Sequence, residues 1–565
     1  GNGGNTGGEL LSNLNSGSTG TSGIVINGTP GTYTPYMASR VHLTVDVNSN
    51  LDNVSDAYLN SAFSSSSITV LNGVTISGSG SLTSPTNLAD KSKAAIAQKN
   101  TTLGVGRNDV ILTNNGIINL TGTGMAGIVG EFSEIYNNSI INTTGDNSTA
   151  IIVSNGGIAT NNGSITIGND GVGIAGINYL GVTESPSLLQ PTTGNGFIEI
   201  VHNNSIVSSG TTNSSIGILG LDLETNNNGT TVTATQASKI TLGSGSIIDI
   251  SSATGGVGVY SKGVYRNGVA TITDNGSNIS INEDGVGIYS EGTEIVASGG
   301  SITAINNAKA QGIFTDSDVL SYKNITLLGD KSVGIYNYGI NQMYATNLGI
   351  NYVNITNGGK IELGNSSSIS NPSIGIYSKY GNIENQGIIT GGVNTLGILS
   401  ETPYAVNMTN GGTITLGNGG IAIYKKQGTL NLDNNSNITV GNSAVAVYGD
   451  DNVTINNNSA NINVGDTSFG FVLLGTGTNN YISSSNSIFN MGTGSVYIYK
   501  EGAGTVDTYT TVNSLGSQNA AIYATGSGTT INNYGNINFT SGVGNVGVYS
   551  DNGAIANNYG NITVA

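Results

Sequence analysis

Asn161-Asn162-Gly163-Ser164-Ile165-Thr166-Ile167-Gly168-Asn169-Asp170-Gly171-Val172-Gly173-Ile174 reads as turn, short alternating strand, turn, short alternating strand. In Ile165-Thr166-Ile167 the period of two turns the isoleucines to one face and the threonine to the other. The same unit returns as Asn275-Gly276-Ser277-Asn278-Ile279-Ser280-Ile281 leading to Gly285-Val286-Gly287-Ile288-Tyr289. It returns again as Asn410-Gly411-Gly412-Thr413-Ile414-Thr415-Leu416-Gly417 leading to Ile421-Ala422-Ile423-Tyr424, and as Asn533-Tyr534-Gly535-Asn536-Ile537 leading to Val546-Gly547-Val548-Tyr549.

Successive copies end their second strand at Val129, Val153, Ala175, Leu219, Tyr260, Tyr289, Phe314, Tyr336, Tyr377, Leu399, Tyr424, Tyr448, Val472, Tyr499, Tyr523 and Tyr549. A usual step of about 22–27 residues suits three short strands plus their turns. This predicts an all-β fold, a right-handed parallel β-helix of roughly 17–20 coils. No six-residue cadence and no heptads are visible, which disfavours a left-handed hexapeptide helix and a coiled-coil stalk. Asparagine and glycine at the corners supply left-handed backbone, and stacked asparagines can link their amides in ladders.

The composition agrees with a long repetitive chain. Of 565 residues 87 are glycine, only 9% are charged and none is cysteine. Disulfides, thiol nucleophiles and cysteine metal sites are therefore excluded. A net charge of -17 with no basic run argues against nucleic acid. Two histidines, His42 and His202, leave little room for a multi-histidine metal site, and no cofactor or metal is expected. No run of about 20 apolar residues occurs, and Gly1-Asn2-Gly3-Gly4 does not open a signal peptide.

Residues 1–106 lack the clear repeat and read as an N-terminal cap or degenerate β-helix section, with residues 89–97 as a short helix. Residues 107–565 carry the repeats, interrupted near 176–199, 220–237 and 337–352. The chain stops half a repeat after Asn557 without a polar capping unit, so the natural protein is expected to continue past Ala565.

Possible chemistry is sparse. Gly171-Val172-Gly173-Ile174-Ala175-Gly176 fits a dinucleotide fingerprint but opens no helix, and Gly329-Asp330-Lys331-Ser332 reads as a turn. Glu283-Asp284, Glu291 with Glu294, and Asp450-Asp451 could supply paired carboxylates for a polysaccharide-cleaving enzyme, yet all sit at turns. With Val286 and Ile288 inside, period two puts Tyr289 and its equivalents on the outer face. Such a tyrosine stripe stacks on sugars, anchors proteins, or forms a structural ladder. In the interruptions, the apolar residues Tyr179, Phe197, Tyr338, Tyr344 and Tyr352 are candidates for ligand binding, with packing of each loop onto the coils as the alternative.

The recurring Asn-Asn-x-Gly-x-Ile and Val-Gly-Ile-Tyr units, from about Asn114 to Ala565, resemble the passenger regions of large fusobacterial autotransporter adhesins, galactose-inhibitable or arginine-inhibitable. The resemblance implies display on the bacterial cell surface, anchored by a C-terminal outer-membrane β-barrel absent from this chain. It also implies adhesion to host-cell glycans or receptor proteins, or to other bacteria, and no enzymatic activity. A rigid spacer with its binding site elsewhere is a further alternative, and the chain is expected to be monomeric.

Overall fold

The computed structural model describes residues 8–10, 42–50, 66–80, 94–99, 110–180, 198–212, 214–224, 238–263, 269–433 and 435–565. Parallel strands stack as a right-handed β-solenoid of about 17 turns with three strands per coil. One coil consists of Ala126–Glu131, Glu134–Asn137 and Ile140–Thr143, followed in the next by Thr149–Ser154, Ile158–Asn161 and Ser164–Ile167. Each strand pairs with its equivalent one coil on, so that Ile128 lies beside Ile151, Ile135 beside Ala159 and Ile141 beside Ile165. First and second strands belong to one sheet and third strands to another. The chain divides into two units, Gly1–Ser301 with Gln342–Leu348, and Ile302–Asn341 with Gly349–Ala565, each built of such coils.

Stacking of like on like explains the isoleucine content. Ile118, Ile141, Ile165, Ile206, Ile248 and Ile279 follow one another on the third strands and are all 0% exposed. Burying each such side chain contributes at most about 1.5–3 kcal/mol, and every coil supplies several. Ser164 and Thr166 alternate with Ile165 and Ile167 and stay half-buried, as the period of two requires.

The first strand departs from simple alternation. Val286 is half-buried, whereas Gly287 and Ile288 are both buried and Tyr289 returns to the outer face. The expectation that Val286 faces inward is thus corrected, and the glycine takes the inward place. At the equivalent Gly258 a Cβ would stand 2.6 Å from Ile279 Cγ2 and 2.5 Å from the Gly287 carbonyl oxygen. At Gly334 it would stand 2.7 Å from Ile361 Cγ2 and 2.5 Å from the Gly375 oxygen. Val-Gly-Ile-Tyr therefore keeps its glycine because the third strand's isoleucine occupies that space.

Corners follow the anticipated chemistry. Non-glycine residues adopt left-handed backbone ahead of the first strand, among them Asn147 (φ 53°), Asp170 (49°), Asp284 (56°), Asn394 (57°) and Ser443 (51°). Between second and third strands, buried amides form a ladder. Asn114 Nδ2 donates to Asn137 Oδ1 at 2.9 Å, and Asn137 Nδ2 to Asn161 Oδ1 at 2.8 Å. His202 occupies the next rung, its Nδ1 3.2 Å from Asn161 Nδ2 and its Nε2 2.9 Å from the Ile247 carbonyl oxygen. A neutral ring carrying its hydrogen on Nε2 satisfies both contacts.

The short helix read over residues 89–97 is also corrected. Ala94–Lys99 is a strand, paired with Ala126–Glu131, with Ala94, Ala95, Ile96 and Ala97 all buried, while residues 89–93 lie outside the described residues. Partnership with the next coil overrides the helical preference of an alanine-rich run.

Burial pushes the His202 pKa down to about 4 from 6.5. Between those values the folded chain binds fewer protons than the unfolded one, so stability rises with pH across that window and is lost as pH falls through it. The expected outcome is a denaturation midpoint that drops from pH 7 to pH 4.5 in the wild-type chain and drops less in His202→Asn, which restores an ordinary rung.

Candidate functional site

The outer face of the first strands carries the aromatic column. In the first unit Tyr260 stacks on Tyr289 with ring centroids 4.6 Å apart. In the second, Phe314 and Tyr336 are 5.2 Å apart, Tyr336 and Tyr377 4.8 Å, Tyr424 and Tyr448 4.8 Å, and Tyr499, Tyr523 and Tyr549 follow at 5.1 and 4.7 Å. These spacings repeat the separation of hydrogen-bonded strands, so the rings stack because their backbones do. Leu399 and Val472 interrupt the column.

Carboxylates two residues past the column, on the same coil or the next, receive several of the hydroxyls. Tyr260 and Tyr289 donate to Glu291 at 3.2 and 3.3 Å, Tyr377 to Glu401 at 2.8 Å and Tyr549 to Asp551 at 3.2 Å. Partial burial, then the Glu401 carboxylate, raise the Tyr377 pKa well above the ordinary phenol. Lys262 lies 3.9 Å from Glu291, and Lys379 lies over the Tyr336 and Tyr377 rings at 5.8 Å. Glu291 is thus held by two phenols and a lysine. Among the described residues no group of three or more histidine, aspartate or glutamate side chains is placed to hold a metal.

All three interruptions leave the coil at one place, the corner between first and second strand. The first lies between Val172–Leu180 and Glu199–His202, the second between Ile216–Glu224 and Lys239–Leu242, and the third between Val333–Asn337 and Val353–Asn357. In the first unit the strands run further into the interruptions than the repeat suggests, pairing from Ile177 with Leu221 to Leu180 with Glu224. Beneath them Asn178 Nδ2 donates to Asp222 Oδ1 and Ser238 Oγ, both at 2.8 Å, and Ser238 Oγ donates to Asp222 at 2.7 Å. This buried trio fixes the roots of two loops, as a fully satisfied polar cluster does.

The candidate residues fall at different places. Tyr179 is near the end of its strand, opposite Leu223, and Phe197 lies outside the described residues. Tyr338 is half-buried and stacks on Phe314 at 4.2 Å, so it extends the ladder. Tyr344 stands on the short helix Gln342–Leu348. Tyr352, 38% exposed, packs against Tyr404 at 5.2 Å, and the Tyr404 hydroxyl donates to the Asn351 carbonyl oxygen at 2.8 Å. Tyr404 was missed in the sequence. Glu401-Thr402-Pro403-Tyr404 interrupts the same corner two coils later, which was the signal available.

A concave surface, about 840 Å³, lies on the third strands of the second unit and includes Asn490, Asn513, Asn538, Met491, Thr493 and Leu515. Asn490 donates to Asn463 at 2.8 Å, Asn513 to Asn490 at 3.1 Å and Asn538 to Asn513 at 3.0 Å, and Leu515 is 76% exposed. Repeated amides beside an aliphatic side chain suit a ligand rich in hydroxyls. No family model matches the chain, and no curated protein and no solved structure is significantly similar to it.

Behind Tyr424 the chain buries a lysine. Lys425 Nζ donates to the Thr402 carbonyl oxygen at 2.6 Å and to Ser400 Oγ at 3.1 Å, and burial pulls its pKa down to about 7. The unfolded chain then binds more protons between about pH 7 and 10, so stability rises with pH over that range. Replacing Lys425 by Gln is expected to flatten this rise, read as the difference in urea midpoint between pH 7 and pH 9.5.

Proposed function

We propose that the chain is the passenger region of an autotransporter-type adhesin on a bacterial cell surface, and that it binds host-cell glycans, receptor proteins or partner bacteria. The observation that carries this reading is the shared corner. In both units the interruptions leave the coil between first and second strand, beside the column of outward tyrosines. A stacked solenoid tolerates variation only where the ladder is not disturbed, so this corner is where a binding surface varies without cost to the core.

Tyr352 and Tyr404 are the contact residues we assign to the third interruption. Both rings stand at the loop root, Tyr352 exposed and Tyr404 half-buried against it, and aromatic rings with a polar edge serve equally for sugars and for protein anchors. Affinity would come from a few such contacts multiplied by many copies on one cell. The resemblance of the Asn-Asn-x-Gly-x-Ile and Val-Gly-Ile-Tyr units to fusobacterial adhesins supports the same reading.

The test is saturable binding of the purified chain to host and bacterial cells, with galactose, N-acetylgalactosamine and arginine as competitors. Replacing residues 338–351 by a short turn and substituting Tyr352→Ala and Tyr404→Ala are expected to weaken binding about tenfold or more. Binding to no cell type, or binding indifferent to these changes, would favour a spacer.

A further inference from the structure

Two residues beyond the aromatic column, six successive coils of the second unit carry Tyr338, Lys379, Glu401, Lys426, Asp450 and Leu474, with the buried Asp316 one coil before them and the exposed Glu501 one coil after. Lys426 pairs directly with Asp450, and the others follow by one residue the pairs Asn337 with Ser378, Ser378 with Ser400, Ser400 with Lys425 and Gly449 with Leu473. The stripe therefore reads apolar, positive, negative, positive, negative, apolar. It is neutral in sum, on a chain whose net charge is -17. Lys379 and Glu401 are exposed, Lys426 and Asp450 half-buried, and among the described residues none of the four forms an ion pair within 4.0 Å.

We propose that a second copy of this chain docks on this face in antiparallel orientation. A two-fold axis lying in the interface, perpendicular to the stacking direction and between the Glu401 and Lys426 coils, inverts the order of the rungs. It sets Glu401 against Lys426 of the second copy, Lys379 against Asp450, and Tyr338 against Leu474. The adjoining column obeys the same operation, with Tyr377 facing Tyr448 and Leu399 facing Tyr424. Each of the six rungs meets its complement because both copies share one rise per coil, about 4.8 Å, over a stripe about 24 Å long, and the match ends there, since the same operation turns buried Asp316 toward Glu501. A parallel arrangement would set each charge against itself.

Charge complementarity selects the occupant. Elsewhere two copies of so anionic a chain repel, and only a locally neutral, self-complementary stripe lets an isologous contact close. Alternating charge also keeps like charges from stacking one coil above another within a single chain. That role alone calls for no association, which separates the two accounts experimentally. The docked pair would hold the loop corners of two chains together, beyond what one chain offers a ligand.

The experiment is sedimentation equilibrium on the full chain, at low and at 0.5 M salt, with circular dichroism to establish folding. The wild-type chain is expected to dimerise at low salt and to dissociate as salt is raised. Glu401→Lys, which sets lysine against Lys426 of the second copy, is expected to weaken the dimer about tenfold or more. A chain with all four charges inverted, Lys379→Glu, Glu401→Lys, Lys426→Glu and Asp450→Lys, keeps the alternation and is expected to dimerise as the wild type does. A wild-type chain that stays monomeric at low salt, or a dimer unmoved by Glu401→Lys, would overturn the proposal.

Discussion

Parallel pairing in register, each residue beside its equivalent one coil away, is the constraint on which the rest of the structure depends. It repeats every side chain at the strand spacing, so a residue suits the fold only if it tolerates its own kind as a neighbour. Isoleucine does so by packing, asparagine by passing an amide hydrogen to the next carbonyl, and tyrosine by stacking its ring. Charged residues do so poorly, which accounts for a chain that is 9% charged. From Lys379 to Asp450, where four occur in succession, they alternate.

The repeat was readable because the same physics wrote it many times. The alternation in Ile165-Thr166-Ile167 and the spacing of the terminal tyrosines were enough to infer parallel coils. What failed was local. Val286 was assigned to the core because strict alternation hides a glycine whose absent side chain is the inward feature, visible only once Ile279 is seen against Gly258. Residues 94–97 read as helical because the partner of their strand, Ala126–Glu131, lies 32 residues on, out of range of local pattern.

The candidate site was legible in part. The column of outward tyrosines and the positions of the interruptions could be listed from the chain, but not the fact that all interruptions leave by one corner, which needs the coil's geometry. Tyr338 looked like a loop residue and proves to extend the ladder onto Phe314. Tyr404, which no sequence pattern singles out, is the partner of Tyr352. His202 had no visible pattern, because one histidine in a column of asparagines is apparent only when Asn161 is found beside it.

Register is the central claim, and a chain without cysteine offers a direct test of it. Tyr424 and Tyr448 are paired neighbours on the same outer column, within disulfide reach, whereas Gly449 is one residue out of step and faces the other way. Cysteines placed at 424 and 448 should cross-link on mild oxidation as a monomer, and cysteines at 424 and 449 should not. Equal cross-linking of the two pairs, or preference for the second, would contradict in-register stacking and with it the ladders, the corner and the stripe.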